Sequence, residues 1–483
     1  MEQLAPEILS SIALCLWEDS EESLAPFATL SRQWQPYIEA QTFRRLFLNP
    51  ARLSEAISQN YLTPARLSYL RYLRCEFVFP RHETDSTNPD DPDDETVFVK
   101  IVTQLFSLLG KTPPCRDPLV YLCLEIPVPG VFGSSEQYAS DYGDPVDYPF
   151  VAQGQVRTSY LDFPSGYEEE LPELPMVYKM STSLISRSVV FSPRSICLMA
   201  SKMPRLRKVN WELSDAEKLD TALRIQQRNG KSLKISTTVS PWLIMLLIGL
   251  ASTLQRLPIS IEMFHLTYVR ELPSNHSFQP PSIIPPDSQQ DPLSAALCKF
   301  TQRIGLKDFT FSGSVDHTIF WPSSENLDEE PYWPSLKSID IYPHEVLPSG
   351  EWLTMQRPGS RLPPSIMIHL AADIPGEGLE RRFRDYPVYS LMDPFFRSMG
   401  KCAARMPKVE YCSISFSDAW LSNLHFCTEF PEIPCLLLAG KPEPEVSKET
   451  LDIWRETVKV HNKDFRLAFN VDDPFSLKYF SRE

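Results

Sequence analysis

Glycine is scarce in this chain, and its scarcity argues against one common kind of ligand site. The 483 residues include 16 glycines and 45 prolines, whereas average usage is about 7% glycine and 5% proline. The glycine-rich loops G-x-G-x-x-G and G-x-x-x-x-G-K-[ST], whose backbone lies close to a bound phosphate, do not occur. The excess of proline instead predicts many short helices and strands, each ended by a proline.

Sequence motifs that carry catalytic or metal chemistry are also missing. There is no G-x-S-x-G elbow for a nucleophilic serine. The eight histidines never recur at the three-to-five-residue spacing that places two imidazoles on one metal, and the ten cysteines include no Cys-x-x-Cys pair. We therefore expect a protein with reduced thiols that is not an enzyme and holds neither a metal nor a cofactor.

Long hydrophobic runs and a secretory start are lacking as well. The longest apolar run, residues 241–251, is shorter than the roughly 20 residues that a bilayer-spanning helix needs. Residues 1–7 contain no basic segment of the kind that opens a signal peptide. These features predict a cytoplasmic and/or nuclear protein without a membrane partner.

Basic residues are outnumbered by acidic ones, but the deficit is confined to two segments. The chain has 47 Lys and Arg against 62 Asp and Glu, a net charge of −15. Residues 83–95 contain seven acids and no base, and residues 127–175 contain nine acids and one base, Arg157. These charges of −7 and −8 account for the whole imbalance, so we interpret both segments as solvated acidic inserts. The negative balance disfavours a nucleic-acid partner.

Three helical patterns open the sequence. Pro6 suits the first turn of a helix, and one apolar face then contains Ile8, Leu9, Ile12, Ala13 and Leu16. A second pattern begins at Ser23 and a third at Ser31. About forty residues bury too little surface to be stable alone, so this cluster needs the rest of the chain or a partner.

A weak internal repeat organises much of the remainder. Residues 203–211, 333–341 and 406–414 each begin with a large apolar residue and a proline and end in a predicted strand; 254–261 and 306–311 are poorer copies. Helix, proline turn and strand form the unit of leucine-rich-repeat architectures, but the three prolines lie 130 and 73 residues apart rather than at a fixed period. Proline-ended units of an unrelated α/β fold are the alternative.

Other segments have simpler patterns. The apolar spacing predicts a helix over residues 98–109, and strands are predicted over 71–79 and 119–126. The proline-rich stretch 271–292 is interpreted as a surface loop. A basic run beside the first repeat segment is interpreted as a solvated face, or as a surface for an acidic or phosphorylated partner; it contains Lys202, Arg205, Arg207 and Lys208.

The start of the chain resembles the F-box motif. Leu4-Ala5-Pro6-Glu7-Ile8-Leu9 is similar to Leu-Pro-x-Glu-[Leu/Ile]-[Leu/Ile], and Ser31-Arg32-Gln33-Trp34 is similar to the motif's [Ser/Cys]-[Arg/Lys]-x-Trp ending. The whole chain resembles F-box proteins of filamentous ascomycete fungi. Ala5 departs from the family's usual proline, residues 18–22 lengthen the first connection, and Pro36 is expected to kink or end the third helix.

This resemblance implies both a fold and a function. The fold would be α/β, with a three-helix F-box over residues 1–48 and an irregular leucine-rich-repeat-like domain over 49–483 that contains the acidic inserts. The protein would be a substrate-recognition subunit of an SCF-type E3 ubiquitin ligase, bound to a Skp-type adaptor and through it to a cullin, with an unknown protein as substrate. The residues that match the family's adaptor-binding positions are Leu4, Pro6, Glu7, Ile8, Leu9, Leu24 and Trp34.

Two alternative functions remain open at this point. One is a protein-interaction scaffold whose degenerate F-box does not recruit the ligase. The other is an unrecognised enzyme in the α/β region. A deep pocket with convergent polar groups and perturbed pKa values would favour the enzyme, whereas a shallow sheet face would not.

Overall fold

The computed structural model of this chain describes most residues outside the acidic inserts, in two units that we treat separately. The described ranges are 5–19, 25–28, 32–79, 93–127, 159–164, 166–184, 189–214, 249–269, 273, 275–285, 288, 290–323, 330–364, 366–367, 379–416, 422–428, 436–440, 444–463 and 467–470. The first unit comprises Met1–Pro149, Arg157–Phe191 and Leu198–Trp211; the second comprises Phe150–Val156, Ser192–Cys197 and Glu212–Glu483.

Three helices open the first unit, as the sequence pattern predicts: α1 (Pro6–Asp19), α2 (Ala25–Ala28) and α3 (Gln35–Thr42). Their shared core is small. It consists of buried Ala13 and Ile38, with four partly buried neighbours, Leu16, Ala28, Trp34 and Tyr37.

The expected kink at Pro36 is wrong. Helix α3 begins at Gln35 rather than near Ser31, so Pro36 occupies its first turn. A proline is tolerated there because its missing N–H would have no partner inside the helix. The N–H groups of Tyr37 and Ile38 both donate to the Trp34 carbonyl, at 3.0 and 3.1 Å, which starts the helix normally.

The sheet of the first unit is parallel throughout its described strands. In spatial order these are β1 (Arg45–Leu48), β2 (Tyr72–Glu76), β3 (Val120–Ile126), β5 (Val177–Leu184) and β7 (Lys208–Ser214). A separate parallel pair is formed by β4 (Ser159–Leu161) and β6 (Val189–Phe191). The accompanying helices are α4 (Pro50–Ser58), α5 (Pro64–Leu67) and α6 (Asp94–Leu109), and α7 (Pro193–Ser201) precedes β7 along the chain.

Helix α6 confirms one prediction and modifies another. Its predicted apolar positions are all buried: Phe98, Ile101, Val102, Leu105, Phe106 and Leu109. The end of the first acidic insert is part of this helix, because the Asp93 carboxylate caps it by accepting from the Thr96 N–H. Asp94 and Glu95 lie in the first turn, where negative charge favours the helix dipole. Residues 80–92, which include residues 83–92 of this insert, lie outside the described residues.

The second acidic insert is not a solvated loop along its whole length. Its residues 159–164 and 166–175 are described, and Leu161, Phe163, Leu171 and Leu174 are buried. The Phe163 ring stacks on Phe98 of α6 with a centroid distance of 5.0 Å. The acidic composition of this stretch led to the prediction of a solvated loop. Its apolar residues nevertheless pack into the core of the first unit. Residues 128–158 lie outside the described residues.

The sheet of the second unit is parallel at first and then mixed. Its spatial order is β8 (Met263–Val269), β9 (Asp308–Gly313), β10 (Ser338–Pro343), β15 (Tyr411–Phe416), β16 (Ser422–Cys427), β17 (Leu436–Ala439) and β18 (Leu467–Asn470). Neighbouring strands are parallel except for the pairs β15 with β16 and β16 with β17.

Short strands and four helices complete the described part of this unit. Two antiparallel pairs are β11 (Thr354–Gln356) with β14 (Arg384–Pro387) and β12 (Ile366–Met367) with β13 (Leu379–Glu380). The helices are α8 (Leu250–Thr253), α9 (Pro292–Thr301), α10 (Tyr389–Ala404) and α11 (Lys448–Val460). Within the described ranges, no helix is both long enough and apolar enough to cross a bilayer.

The repeat segments fold as their pattern predicts. Those over residues 203–211, 333–341 and 406–414 lead into β7, β10 and β15, and the copies at 306–311 and 254–261 precede or enter β9 and β8. The large apolar residue before each template proline is fully buried, which explains its place in the pattern: Met203, Trp333 and Met406. The chain is therefore mixed α/β with mostly parallel sheet.

The described residues of the proline-rich stretch 271–292 are irregular, as a loop would be, but the stretch is partly buried and is not a surface loop along its whole length. Ile283 is buried, and its N–H donates to the Pro348 carbonyl at 2.8 Å. Asp291 is also buried and caps α9 by accepting from the Ser294 N–H at 2.8 Å. Prolines set the turns of this segment while its apolar and capping residues pack into the second unit.

Candidate functional site

Each sheet has one buried face and one more accessible face. In β9, Phe309 and Phe311 are buried while Thr310 between them is half-buried, and in β7 Trp211 is buried between exposed neighbours. This alternation follows from the two-residue period of strands. We call the more accessible side the open face of each sheet.

A row of polar residues crosses the open face of the second unit's sheet. It is formed by register-matched positions on β8, β9, β10, β15 and β16: His265, Thr310, Asp340, Ser413 and His425. Residues paired in this way on neighbouring strands lie about 5 Å apart. We call these five residues the polar row.

Asp340 is the central acid of the polar row. The Ser413 Oγ–H donates to its Oδ1 and the Ser338 Oγ–H to its Oδ2, the latter at 3.3 Å. Burial raises the pKa of the Asp340 carboxyl to about 6, although these two hydrogen bonds favour the charged form. Asp340 can therefore take up a proton at a mildly acidic pH.

His425 is the base at the end of the polar row. Its Nδ1 shares a hydrogen bond of 2.6 Å with the Tyr411 hydroxyl. Burial lowers the pKa of His425 to about 4, so the ring is neutral at pH 7. The buried Nε2 atom has no hydrogen-bond partner in the described part of the chain.

The printed sequence gives no motif for this group, and its hydrogen bonds do not form a Ser–His–Asp relay. In such a relay the serine hydroxyl donates to the histidine, which the aspartate orients. Here Ser413 donates directly to Asp340, and His425 is bonded to Tyr411. The arrangement supports proton uptake at Asp340 and polar recognition on a sheet face.

An Asp340→Asn substitution should reveal the raised pKa through the pH dependence of stability. A folded-state pKa near 6 exceeds the usual 3.8, so the folded protein binds this proton more tightly than the unfolded chain does. The contribution of Asp340 to stability is complete below about pH 4 and is lost as the pH rises through 6. Relative to Asp340→Asn, the wild type should gain about 2 kcal/mol between pH 7 and pH 4.

Urea unfolding at pH 4, 5, 6 and 7 measures that difference, and changes common to both proteins cancel. Asparagine keeps an acceptor for the Ser413 hydroxyl. A stability difference between the two proteins that stays constant over this range would show that the Asp340 pKa is normal.

One open groove in the second unit lies away from the polar row. Its volume is about 710 Å³, and its walls include Trp321 with residues of α10 and α11 such as Lys401, Ala404 and Asp452. No polar-row residue lines it. Convergent polar groups with perturbed pKa values are thus found on a sheet face rather than in this groove.

The residues expected to bind an adaptor have several different environments in the structure. Leu4 and Leu24 lie outside the described residues. Leu9 is buried, and Trp34 packs against the core of Ala13 and Ile38. The exposed members of this set are Pro6, Glu7 and Ile8, all on α1.

Ile8 is the large apolar residue of that set that remains on the surface, with 48% of its area exposed. It is followed along one stripe of α1, at intervals of four and three residues, by half-buried Ile12 and exposed Cys15. We call these three residues the Ile8 stripe. Leu14 is also exposed but lies about 120° away around the helix, since each residue turns it by about 100°.

Sequence reasoning missed the polar row because its members are isolated in the sequence. Asp340 and Ser413 occupy repeat segments that were identified from their apolar residues alone. The polar residues at positions 338, 340, 411 and 413 alternate with apolar residues, and this alternation was the available signal. His425 could not be connected to them without knowing that β16 pairs with β15.

Among the described residues, no group of three or more His, Cys, Asp or Glu side chains is arranged to hold a metal ion. Comparisons with protein-family models, with curated proteins and with solved structures find no match for this chain.

Proposed function

We propose that this chain is a substrate-recognition subunit of an SCF-type E3 ubiquitin ligase. In this proposal α1–α3 form an F-box that docks on a Skp-type adaptor, the adaptor binds the cullin, and the α/β region holds a protein target. The observation that carries the proposal is the exposed Ile8 stripe beside a very small helical core.

The N-terminal helices have more apolar surface than their own core uses. In the described part of the cluster the buried apolar residues are Leu9, Ala13 and Ile38, whereas Ile8 and Phe27 are 48% and 37% exposed. Exposed apolar side chains on a small helical unit are typical of a surface that binds another protein. Pro36 lies in the first turn of α3, where it does not interrupt that helix, and this position is compatible with the proposal.

The order of the strands is compatible with a repeat-like architecture for the α/β region. Each parallel strand from β8 through β15 lies beside the preceding one in the sheet. Doubly wound sheets bind ligands where the strand order reverses, and these strands have no reversal. An irregular leucine-rich-repeat-like domain, built from helix, proline turn and strand, is the architecture that we propose for this region.

Replacing Ile8 with aspartate should abolish adaptor capture. The change removes an apolar contact and would place an unpaired charge in the interface, which should weaken binding by more than about tenfold. The experiment is co-purification of the tagged full chain with a Skp-type adaptor and a cullin. Leu14→Asp is the matched control, since it places the same charge on another side of the same helix.

The result separates the ligase from the scaffold. Capture of adaptor and cullin by the wild type and by Leu14→Asp, but not by Ile8→Asp, supports the proposal. If the wild type captures neither protein, the ligase proposal fails and the scaffold remains. Equal capture by all three proteins would show that the Ile8 stripe does not contact the adaptor.

A further inference from the structure

A row of cations and tyrosines crosses the open face of the first unit's sheet. Its members are paired in register from β1 to β7: Arg45, Tyr72, Tyr121, Lys179 and Lys208. Lys208 belongs to the basic run seen in the sequence, and the fold brings the other four beside it. We call these five residues the basic row.

The tyrosines of the basic row form a packed platform. The Tyr72 and Tyr121 rings meet edge to face with their centroids 5.0 Å apart, and Phe47 meets Tyr72 in the same manner at 5.9 Å. The Lys179 Nζ atom lies 4.1 Å from the Tyr121 ring centroid. This cation–π contact and the ring packing restrict the side chains before any partner binds.

Within the described ranges, the cations of the basic row have no acidic partner. In the part of the chain that the structure describes, Arg45, Lys179 and Lys208 form no ion pair. The acids further along β2 and β3, Glu76 and Glu125, form ion pairs with Arg74 instead. The Arg74 Nη2 atom lies 2.7 Å from Glu125 and 3.2 Å from Glu76. Burial, and then the nearby Lys208, lower the pKa of Lys179, which is consistent with two adjacent cations that lack an acidic partner.

We propose that the basic row binds an acidic segment of a partner protein in an extended conformation. Lys179 and Lys208 are one strand apart, about 5 Å, so both ammonium groups can contact one phosphate or carboxylate. Arg45 lies three strand spacings from Lys179, about 14 Å. An extended chain covers that distance in about four residues, so a second acid four positions along would meet Arg45.

The narrow shape of the basic strip favours a single peptide segment over a nucleic acid. Further along the same strands, the open face has Glu76 and Glu125 paired with a single base, Arg74, and then Glu212. These three acids outnumber the one base, so this part of the face has no excess positive charge for a polyanion, and the chain as a whole has a net charge of −15. Peptide binding here does not depend on the proposed ligase function, although a ligase target would be a natural occupant.

Fluorescence anisotropy with the full chain tests the proposal. Three labelled peptides share one Gly/Ser/Ala background and differ at two positions that are four residues apart. The first peptide has phosphoserine and glutamate at these positions, the second has two glutamates, and the neutral third has serine and glutamine. Both acidic peptides should bind and weaken with salt, and the neutral peptide should not. The ratio of the two acidic affinities identifies phosphate or carboxylate as the preferred group.

Lys179→Glu with Lys208→Glu should weaken acidic-peptide binding at least about tenfold. Lys100→Glu with Lys111→Glu changes the net charge equally, at exposed positions outside the row in the same unit, and should change affinity less than about twofold. If the double variant with glutamate at both positions does not fold, the double variant Lys179→Gln and Lys208→Gln gives the same test without adding negative charge. Circular dichroism checks folding.

Three results would overturn the proposal. They are equal loss of binding in the two charge-reversed variants, binding of the neutral peptide as tightly as the acidic ones, and tighter binding of an oligouridylate of equal charge. Ile8→Asp should retain peptide binding, so failure of this proposal is distinguishable from failure of adaptor capture.

Discussion

Replacing Gly350 with alanine is expected to destabilise the second unit by about 4 kcal/mol. Gly350 has φ of +85°, in the left-handed region that side-chain-bearing residues disfavour. A Cβ at this position would overlap the carbonyl oxygen of Pro280, which belongs to the partly buried proline-rich stretch. Since the obstacle is backbone, it cannot be relieved by rotating a side chain.

The Gly350→Ala substitution should also weaken the hydrogen bonds that join the segments around Pro280 and Gly350. The Trp352 Nε1–H donates to the Phe278 carbonyl at 3.1 Å, and the Gln279 side chain donates to the Gly350 carbonyl. Moving either backbone to admit a methyl group would disturb both hydrogen bonds.

Gly359→Ala is the matched control for this prediction. Gly359 has a similar φ of +78°, but a Cβ there would meet no atom within 4 Å. It should therefore cost only about 1 kcal/mol, the penalty of the backbone conformation alone. Urea unfolding followed by tryptophan fluorescence compares the two variants, and equal loss of stability in both would show that the Pro280 overlap is relieved cheaply.

Local patterns in the sequence were sufficient to predict many of the secondary-structure elements. The apolar spacing of α6 and the three proline-led repeat segments depend on residues a few positions apart, and these elements are present. Whether the repeats belong to a leucine-rich-repeat architecture remains a proposal. The three N-terminal helices are present as well, but whether they bind an adaptor is a separate question that helix boundaries do not answer.

Proline was the residue most often misinterpreted from sequence. Pro36 was expected to disrupt α3, but the helix begins one residue before it. The prolines of 271–292 were interpreted as marks of a surface loop, yet that stretch places Ile283 and Asp291 in the interior. In both cases proline constrains only its own backbone angle and hydrogen bonding, and the surrounding tertiary contacts decide burial.

The two rows on the open faces could not have been predicted from sequence because register determines them. Asp340, Ser413 and His425 are separated by many residues, and so are Tyr72, Tyr121 and Lys179. A shift of one residue in a single strand would move its member of the row to the buried face. The basic run that ends at Lys208 was visible, but its alignment with Lys179 was not.

Replacing Trp454 with alanine should destabilise the second unit by about 4 kcal/mol. The Trp454 side chain is fully buried on α11, and its Nε1–H donates to the Phe396 carbonyl of α10 at 3.0 Å. Gly400 lets the two helices approach closely, because a Cβ there would lie 2.9 Å from Ile453 and 3.2 Å from the Trp454 ring. Rigid helix packing of this kind cannot collapse fully around the lost indole, so a cavity remains.

Val460→Ala is the control on the same helix, since Val460 is 58% exposed and its truncation should cost less than about 0.5 kcal/mol. Trp454→Phe should fall between the two, because it retains aromatic contact with Phe426 but loses the hydrogen bond to Phe396. Differential scanning calorimetry of the three variants gives the order directly. Equal melting temperatures for Trp454→Ala and Val460→Ala would mean that the contact between α10 and α11 does not limit the stability of this unit.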